Sequence, residues 1–451
     1  MSLSLRQRIL SAPGPAAPDH PVAAHGRDRI DRAEVTGMGP GAAIPPGALV
    51  AVCVTDPLAL LRVLIGLDGY AGGLLLLSYS LAAEHVAALR TVAGITHAVS
   101  NRADIADAIP PQDAVTTAVT PAAPSDVPVT TAWMMTTSGT TGRPKIVPHD
   151  LDSLARTVRR DPLARAPVWG LILDPTRFAG LQVALQALVG GGTLIVAPQQ
   201  GTMADQIAAL AAGGVTHLSA TPTLWRRLLM SPGLDALSLR QVTMGGEIAD
   251  QAVLDAAERR FPAARVTHIY ASTEAGVGFT VNDRLAGFPQ AFLDAAPGGV
   301  GVRVVDGILW LKPPGGRRVR YLGDQKIAVD ADGYVATGDR VEATGDRFVF
   351  LGRDTGVVNV GGVKVYPERV ERTIASVPGV GLAQVAAKSN PITGALLMAT
   401  VVPAAADADQ GLLRDAILTH CRATLEREAV PARIRFADTL DTNAAGKIVR
   451  A

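Results

Sequence analysis

Short apolar runs alternate with segments of helical spacing along most of the chain. Residues 48–54, Ala-Leu-Val-Ala-Val-Cys-Val, predict a buried strand. Residues 58–65 carry helical spacing, 72–77 predict the next strand, 81–92 a helix and 98–100 a third strand. The alternation then resumes. Strands are expected at 132–135, 168–173, 193–197, 215–220, 241–244 and 266–270, and helices at 151–158, 181–188, 203–212, 224–230 and 251–261. Strands and helices in this rhythm argue for a parallel α/β sheet. Ligands of such sheets gather at the carboxyl ends of the strands. Here those ends carry Gly245-Gly246-Glu247 and Ala271-Ser272-Thr273-Glu274.

The texture changes near residue 299. Short β segments follow at 302–305, 308–312, 325–329 and 348–351. A Gly-rich turn, a strand and a helix start fill 352–371, strands are expected at 384–387 and 399–402, and a helix at 412–427. The expected architecture is therefore α/β: a large N-terminal domain of parallel or mixed sheets with helices, 1–351, and a small α+β C-terminal domain, 352–451. Residues 1–45 are rich in Pro, Gly and Ala and predict a loosely ordered or surface-hugging lead-in. Residues 108–130 read as a Pro- and Ala-rich linker.

Composition narrows the function. Hydrophobic residues make up 48% of the chain but aromatics only 4%, so the cores must rest on Ala, Val, Leu and Ile. Lys+Arg 42 against Asp+Glu 41 leaves a formal charge of +1, which gives no electrostatic case for nucleic acid or an anionic membrane surface. Cys53 and Cys421 match no metal or redox spacing and suit a reducing, cytoplasmic setting. The start of the chain lacks the pattern of a signal peptide. The most apolar stretch, 60–77, is broken by Arg62, Asp68 and glycines, so no membrane span is expected. Nearly all basic residues are arginine, and lysine occurs only at 145, 312, 326, 364, 388 and 447. Arginine and lysine are not interchangeable at a compact anion contact. Lys145, Lys364 and Lys447, all in or near Gly-containing segments, are therefore candidates for function.

The segment Thr136-Thr137-Ser138-Gly139-Thr140-Thr141-Gly142-Arg143-Pro144-Lys145 concentrates hydroxyls, glycines and a terminal lysine. Hydroxyls and bare backbone N–H groups wrap phosphate oxygens, and glycine lets the backbone approach. The segment is not a Walker loop, since G-x-x-x-x-G-K-[ST] is absent. Alone, it is equally readable as a solvated connector.

Four further segments occur in order with it: Tyr270 to Glu274, Thr337-Gly338-Asp339, Gly352-Arg353 with Val358 to Val365, and Gly446-Lys447. Together they resemble the adenylate-forming superfamily, which holds acyl-CoA synthetases, nonribosomal-peptide adenylation domains and luciferases. The resemblance runs over nearly the whole chain from about residue 45. It implies that a carboxylate and ATP are joined to an acyl-adenylate with release of pyrophosphate, with Mg²⁺ as the metal. Bringing two anions together makes positioning and charge neutralisation the main tasks.

On this resemblance Thr137, Ser138, Gly139, Thr140, Thr141 and Gly142 would wrap the β- and γ-phosphates, with Lys145 adding charge; Ile146 stands where the family has glycine. Tyr270 would pack on adenine, with Ala271 and Ser272 beside it and Gly245, Gly246 and Glu247 along its border. Thr273 would contact the α-phosphate, and Glu274 would ligate Mg²⁺, although a carboxylate at a helix start is common without a metal. Asp339 would accept the ribose hydroxyls, or else be a turn residue, and Arg353 would also reach the ribose. Lys447 is the expected catalytic cation, crossing from the mobile small domain to the α-phosphate and carboxylate.

The resemblance also implies an acceptor side. The pair Gly361-Gly362 resembles that of acyl-CoA ligases, where it admits the pantetheine arm, and Lys364 would face either the coenzyme A entrance or solvent. The hinge, usually Asp or Lys, falls at Thr355 with Asp354 before it. In the substrate pocket, the segment with Arg177, Phe178 and Gly180 falls where the family has an aromatic or histidine before a glycine, with Arg177 taking that residue's place, and Ala271 in place of glycine narrows the pocket. Arg177 would meet a substrate carboxylate, the adenylate or coenzyme A, or simply pack its stem on the surface. The expected product is an acyl-CoA; the alternative acceptor is an acyl-carrier protein or an amine. No carrier domain follows in this sequence, which makes a stand-alone ligase the expectation. The carboxylic acid and the oligomeric state stay open, a homodimer included.

Overall fold

The computed structural model describes residues 2–117, 129–137, 144–159, 166–316, 319–323, 327–390, 394–442 and 447. Its largest sheet has eight strands, in the spatial order Gly276–Val281, Arg265–Ser272, Gln241–Gly245, His217–Ala220, Val168–Leu171, Thr193–Val196, Pro21–His25 and Asp28–Asp31. The six inner strands run parallel and the two outer ones antiparallel. A second, six-stranded sheet is ordered Lys145–His149, Ala132–Thr137, Gly73–Leu76, Leu49–Cys53, His97–Ser100 and Ala108–Ile109. Apolar residues of the two sheets and of the helices Pro57–Leu67 and Phe178–Leu188 form one extensive core that includes Val52, Leu64, Leu76, Leu185 and Val242. This is the α/β architecture with mixed sheets that the alternation predicts.

The lead-in is a correction. The N-terminal residues carry the helix Leu5–Leu10 and a strand inside the main sheet, where Ala23 pairs with Leu194. Leu5, Ile9, Val22, Ala23 and Ile30 are all nearly inaccessible to solvent. Asp68 ties this segment down, accepting from the backbone N–H of Leu5 at 2.6 Å and the indole N–H of Trp133 at 2.7 Å. Burial pushes its carboxyl above the usual range. The linker at 108–130 is also only partly a linker, since Ala108–Ile109 joins the second sheet and Val115–Thr116 pairs with Gly39–Pro40.

A five-stranded antiparallel sheet follows, in the order Phe288–Pro289, Arg347–Arg353, Val335–Thr344, Ile308–Lys312 and Gly301–Val305. Its last strand in sequence ends at Arg353, opposite Asp339. Beyond it lies a separate apolar core, built from Val360, Val370, Ile374, Leu397, Val401, Ile417 and Cys421. It is enclosed by the hairpin Val358–Val360/Val363–Val365, the helices Pro367–Ala375 and Gln410–Thr424, and a three-stranded sheet of Val380–Asn390, Gly394–Pro403 and Arg433–Phe436. None of the described helices is long and apolar enough to cross a membrane.

Candidate active site

The carboxyl ends of the main sheet open into a cavity of about 1290 Å³. The strand Gln241–Gly245 delivers Gly245, Gly246 and Glu247 to it, and Arg265–Ser272 delivers Tyr270 to Glu274. Gly246 has φ 82°, a left-handed turn that favours glycine. Glu247 is fixed by accepting from the backbone N–H of Thr223 at 3.0 Å, at the start of the helix Pro222–Met230.

Tyr270 stacks on Phe279 and on Phe350, with centroids 5.3 and 5.2 Å away. Its hydroxyl donates to Asp339. The ring is thus part of an aromatic cluster, and burial together with the Asp339 charge raises the phenol well above its usual pKa. Asp339 lies in the strand Val335–Thr344, where its backbone N–H donates to Thr337 Oγ1 at 3.1 Å, and its other carboxylate oxygen is 3.2 Å from Arg353 Nε. A carboxylate has about four lone-pair sites, so both contacts leave acceptor capacity toward the cavity.

Glu274 accepts from the Tyr321 hydroxyl at 2.9 Å, and Lys145 Nζ lies 4.7 Å from the centroid of the same ring. Tyr321 therefore links two candidates that the sequence left separate. His149 is a second residue that motif reading passed over. Its Nε2 lies 2.8 Å from the carbonyl oxygen of Thr273 and fixes that turn, while Ser272 Oγ accepts from the N–H of Ala275 at 3.0 Å. Lone aromatic and imidazole side chains outside a motif give no sequence signal of such placement.

Thr137 and Lys145 are paired across an antiparallel hairpin, so the base of the Ser/Thr/Gly loop is held at the cavity. Ser138, Gly139, Thr140, Thr141 and Gly142 lie outside the described residues, as does Gly446. Lys447 reaches the cavity from the C-terminal side. A Cβ on Gly246 would stand 3.4 Å from Lys447 Cε and 3.9 Å from Nζ, so the turn leaves room for the ammonium. Burial lowers the Lys447 pKa, and the Glu247 carboxylate opposes that shift.

Arg177 and Phe178 stand at the start of the helix Phe178–Leu188. Arg177 donates from Nη1 to Thr136 Oγ1 at 3.1 Å, and its buried Nε has no partner among the described residues. Gly180 is dictated by packing, because a Cβ there would stand 2.1 Å from the carbonyl oxygen of Asp174. Asp174 is itself buried and accepts from Thr176 Oγ1 at 2.6 Å and Ser78 Oγ at 2.5 Å. These bonds hold the turn at the cavity wall.

Asp354 pairs with Arg340 at 2.9 Å in the turn Asp354–Gly356, and Thr355 lines the cavity. Gly361, Gly362 and Lys364 are not brought to the cavity. The two glycines, at φ 60° and 94°, form an exposed hairpin turn. Among the described residues no group of three or more His, Cys, Asp or Glu could hold a metal.

Comparison with known proteins gives the arrangement its family. A model of the AMP-binding enzymes matches residues 74–315, and a model of their C-terminal domain matches 369–447. A feruloyl-CoA synthase from an Amycolatopsis species is 29% identical over 369 residues, covering 72% of this chain and 70% of that protein. A probable nonribosomal peptide synthetase from Salinispora arenicola is 27% identical over 350 residues, 71% of this chain, and the chain spans only 4% of that protein's length. The ATP-bound structure of MatB from Rhodopseudomonas palustris superposes with a TM-score of 0.78 at 22% identity, over 99% of this chain and 97% of that one.

Proposed function

The chain belongs to the AMP-binding enzymes, an adenylate-forming family, and on that premise we propose an ATP-dependent carboxylate–CoA ligase. A carboxylate oxygen attacks the α-phosphorus of ATP and pyrophosphate leaves. The thiol of coenzyme A then attacks the acyl carbonyl and AMP leaves. The observation that carries the reading is the position of Lys447, the C-terminal cation, against Gly246 in the cavity that also holds Glu247, Glu274 and Asp339.

In this reading Asp339 and Arg353 take the ribose, and the Tyr270 edge with Gly245, Gly246 and Ala271 borders the base. Lys145 and the hydroxyl loop beside Thr137 hold the pyrophosphate side. Lys447 and Thr273 face the α-phosphate, where charge grows in the transition state. Arg177, held toward Thr136, meets the reacting carboxylate, with Phe178 and Gly180 shaping that wall. A Mg²⁺ ion would be held by Glu274 with oxygens of ATP, a donor set that suits a metal usually bound through one or two carboxylates and phosphate; it would supply charge neutralisation there. Coenzyme A delivery through Gly361, Gly362 and Lys364 requires rotation of the small domain, from about residue 352 onward, about Asp354 and Thr355, since these residues stand away from the cavity.

The name of the Amycolatopsis relative supports coenzyme A as acceptor. A second reading, transfer to a carrier-protein thiol or an amine, is favoured by the match to a small part of a peptide synthetase. Pyrophosphate release over a panel of aromatic, fatty and dicarboxylic acids tests the first step. Lys447→Ala should abolish it, and full retention would sink the assignment. Adding coenzyme A or a carrier protein to the preformed adenylate separates the two acceptors.

A further inference from the structure

The main sheet shows two different faces. Trp169 pairs with His217, His217 with Gln241, and Gln241 with Arg265, so these four side chains stand abreast on one face. In the next row on that face Ser219 pairs with Thr243 and Thr243 with Thr267. The intervening Leu218, Val242 and Val266 point the other way into the apolar core, each at most 1% exposed. Inner strands of parallel sheets ordinarily carry apolar residues on both faces, because a polar group taken from water is costly without a partner. Here the polar rows line the cavity that begins at Gly245 and Ala271.

The cavity follows these rows away from the nucleotide end. The strand Arg265–Ser272 has 8 residues, roughly 25 Å at about 3.3 Å per residue. At its far end stand Arg159, Arg240 and Arg265, exposed at a second mouth. Arg265 Nε donates to Gln241 Oε1 at 2.7 Å, and Arg240 Nη2 to Thr216 Oγ1 at 3.4 Å. None of the three arginines has an ion-pair partner among the described residues. Burial and the charges of Arg240 and Arg265 push His217 down to about 4, so its ring offers a neutral hydrogen-bonding surface near pH 7. The cavity thus runs from an end bearing both acids (Glu247, Glu274, Asp339) and cations (Arg353, Lys447) to a mouth bearing three arginines with no ion-pair partner among the described residues.

We propose that the acid activated here carries a second anionic group, held at the far mouth by Arg265 and Arg240, with a polar body lying against Gln241, Thr243 and His217. The proposal rests on the carboxylate-activating reading above. A plain alkyl chain would bury apolar surface against hydroxyls and an amide and would leave the far cations without a counter-charge.

The test compares α,ω-dicarboxylic acids with monocarboxylic acids of equal length, straight-chain and aromatic, on the full chain and on Arg265→Gln and Arg240→Gln. Thermal melts confirm that the variants fold. Pyrophosphate release should favour a diacid by at least tenfold in kcat/KM, through KM, and each variant should collapse that ratio toward one. Equilibrium binding of the same acids, read by calorimetry, should show the same preference without turnover. Equal binding of diacid and monoacid, binding of neither, or variants that weaken both alike would overturn the proposal. Selective diacid binding without pyrophosphate release would instead sink the catalytic reading and leave the second anion site standing.

Discussion

Tyr270 donates its hydroxyl to Asp339, which lies 69 positions later in the chain. The bond joins the carboxyl end of the main sheet to the five-stranded sheet, and it aims a carboxylate proposed to hold the ribose. Tyr270→Phe keeps the stacking on Phe279 and Phe350 but removes this bond. A hydrogen bond to a charged group contributes about 1.5–3 kcal/mol. The expected result is a loss of stability of that order in chemical denaturation and a raised KM for ATP, with kcat less affected.

In the role proposed for it, Lys447 must be protonated to stabilise transition-state charge, and burial lowers its pKa. A lowered pKa means that the proton is lost at lower pH than the ordinary lysine value of about 10.4. The alkaline limb of pyrophosphate release should therefore fall below that value. Lys447→Arg should move the limb beyond the measurable range at a lower kcat, because the guanidinium has a different shape and stays charged.

Gly246→Ala should cost about 1–3 kcal/mol of stability from its left-handed backbone and should lower kcat, since the new methyl would stand 3.4 Å from Lys447 Cε. A melt and a single-turnover adenylation assay separate the two effects.

His217 is depressed to about 4 in the folded chain against an ordinary 6.5. The unfolded chain therefore takes up a proton as pH falls below about 6.5, while the folded one does not until about 4. The stability contributed by neutral His217 is present above 6.5 and is lost as pH falls to 4. Melting temperature should decline across that window, and His217→Gln should flatten the decline.

Gly180→Ala would force a methyl to within 2.1 Å of the Asp174 carbonyl oxygen. Overpacking of this kind costs about 1–3 kcal/mol. Because the shift moves the start of the helix that carries Arg177 and Phe178, activity should fall more than the melt alone explains.

Apolar periodicity revealed the helix Met203–Ala212 and the parallel strands of the main sheet from Val168–Leu171 to Arg265–Ser272 to within a few residues. It missed Pro21–His25, where Pro and Ala hide a strand that is buried through its pairing with Thr193–Val196 and Asp28–Asp31. It also missed Gly276–Val281 and Val335–Thr344, in which glycines interrupt the alternation. Motif spacing made Glu274, Asp339 and Lys447 legible because each lies in a recognisable local string. Tyr321, His149 and the rows of Gln241 and Thr243 were not legible, because their meaning arises from pairing across strands and from which face turns to the cavity.

Lys447 lies beyond the last described strand of the C-terminal part, Arg433–Phe436, and beyond every described residue of its apolar core. Stability and chemistry are thus written in different parts of the tail. A protease that trimmed the chain after residue 436 would cut none of the named strands or apolar-core residues described above and would remove the cation. On the role proposed for Lys447 such a product would lose pyrophosphate release, so the integrity of the final residues is a quantity to verify by mass before any negative result is read as a missing substrate.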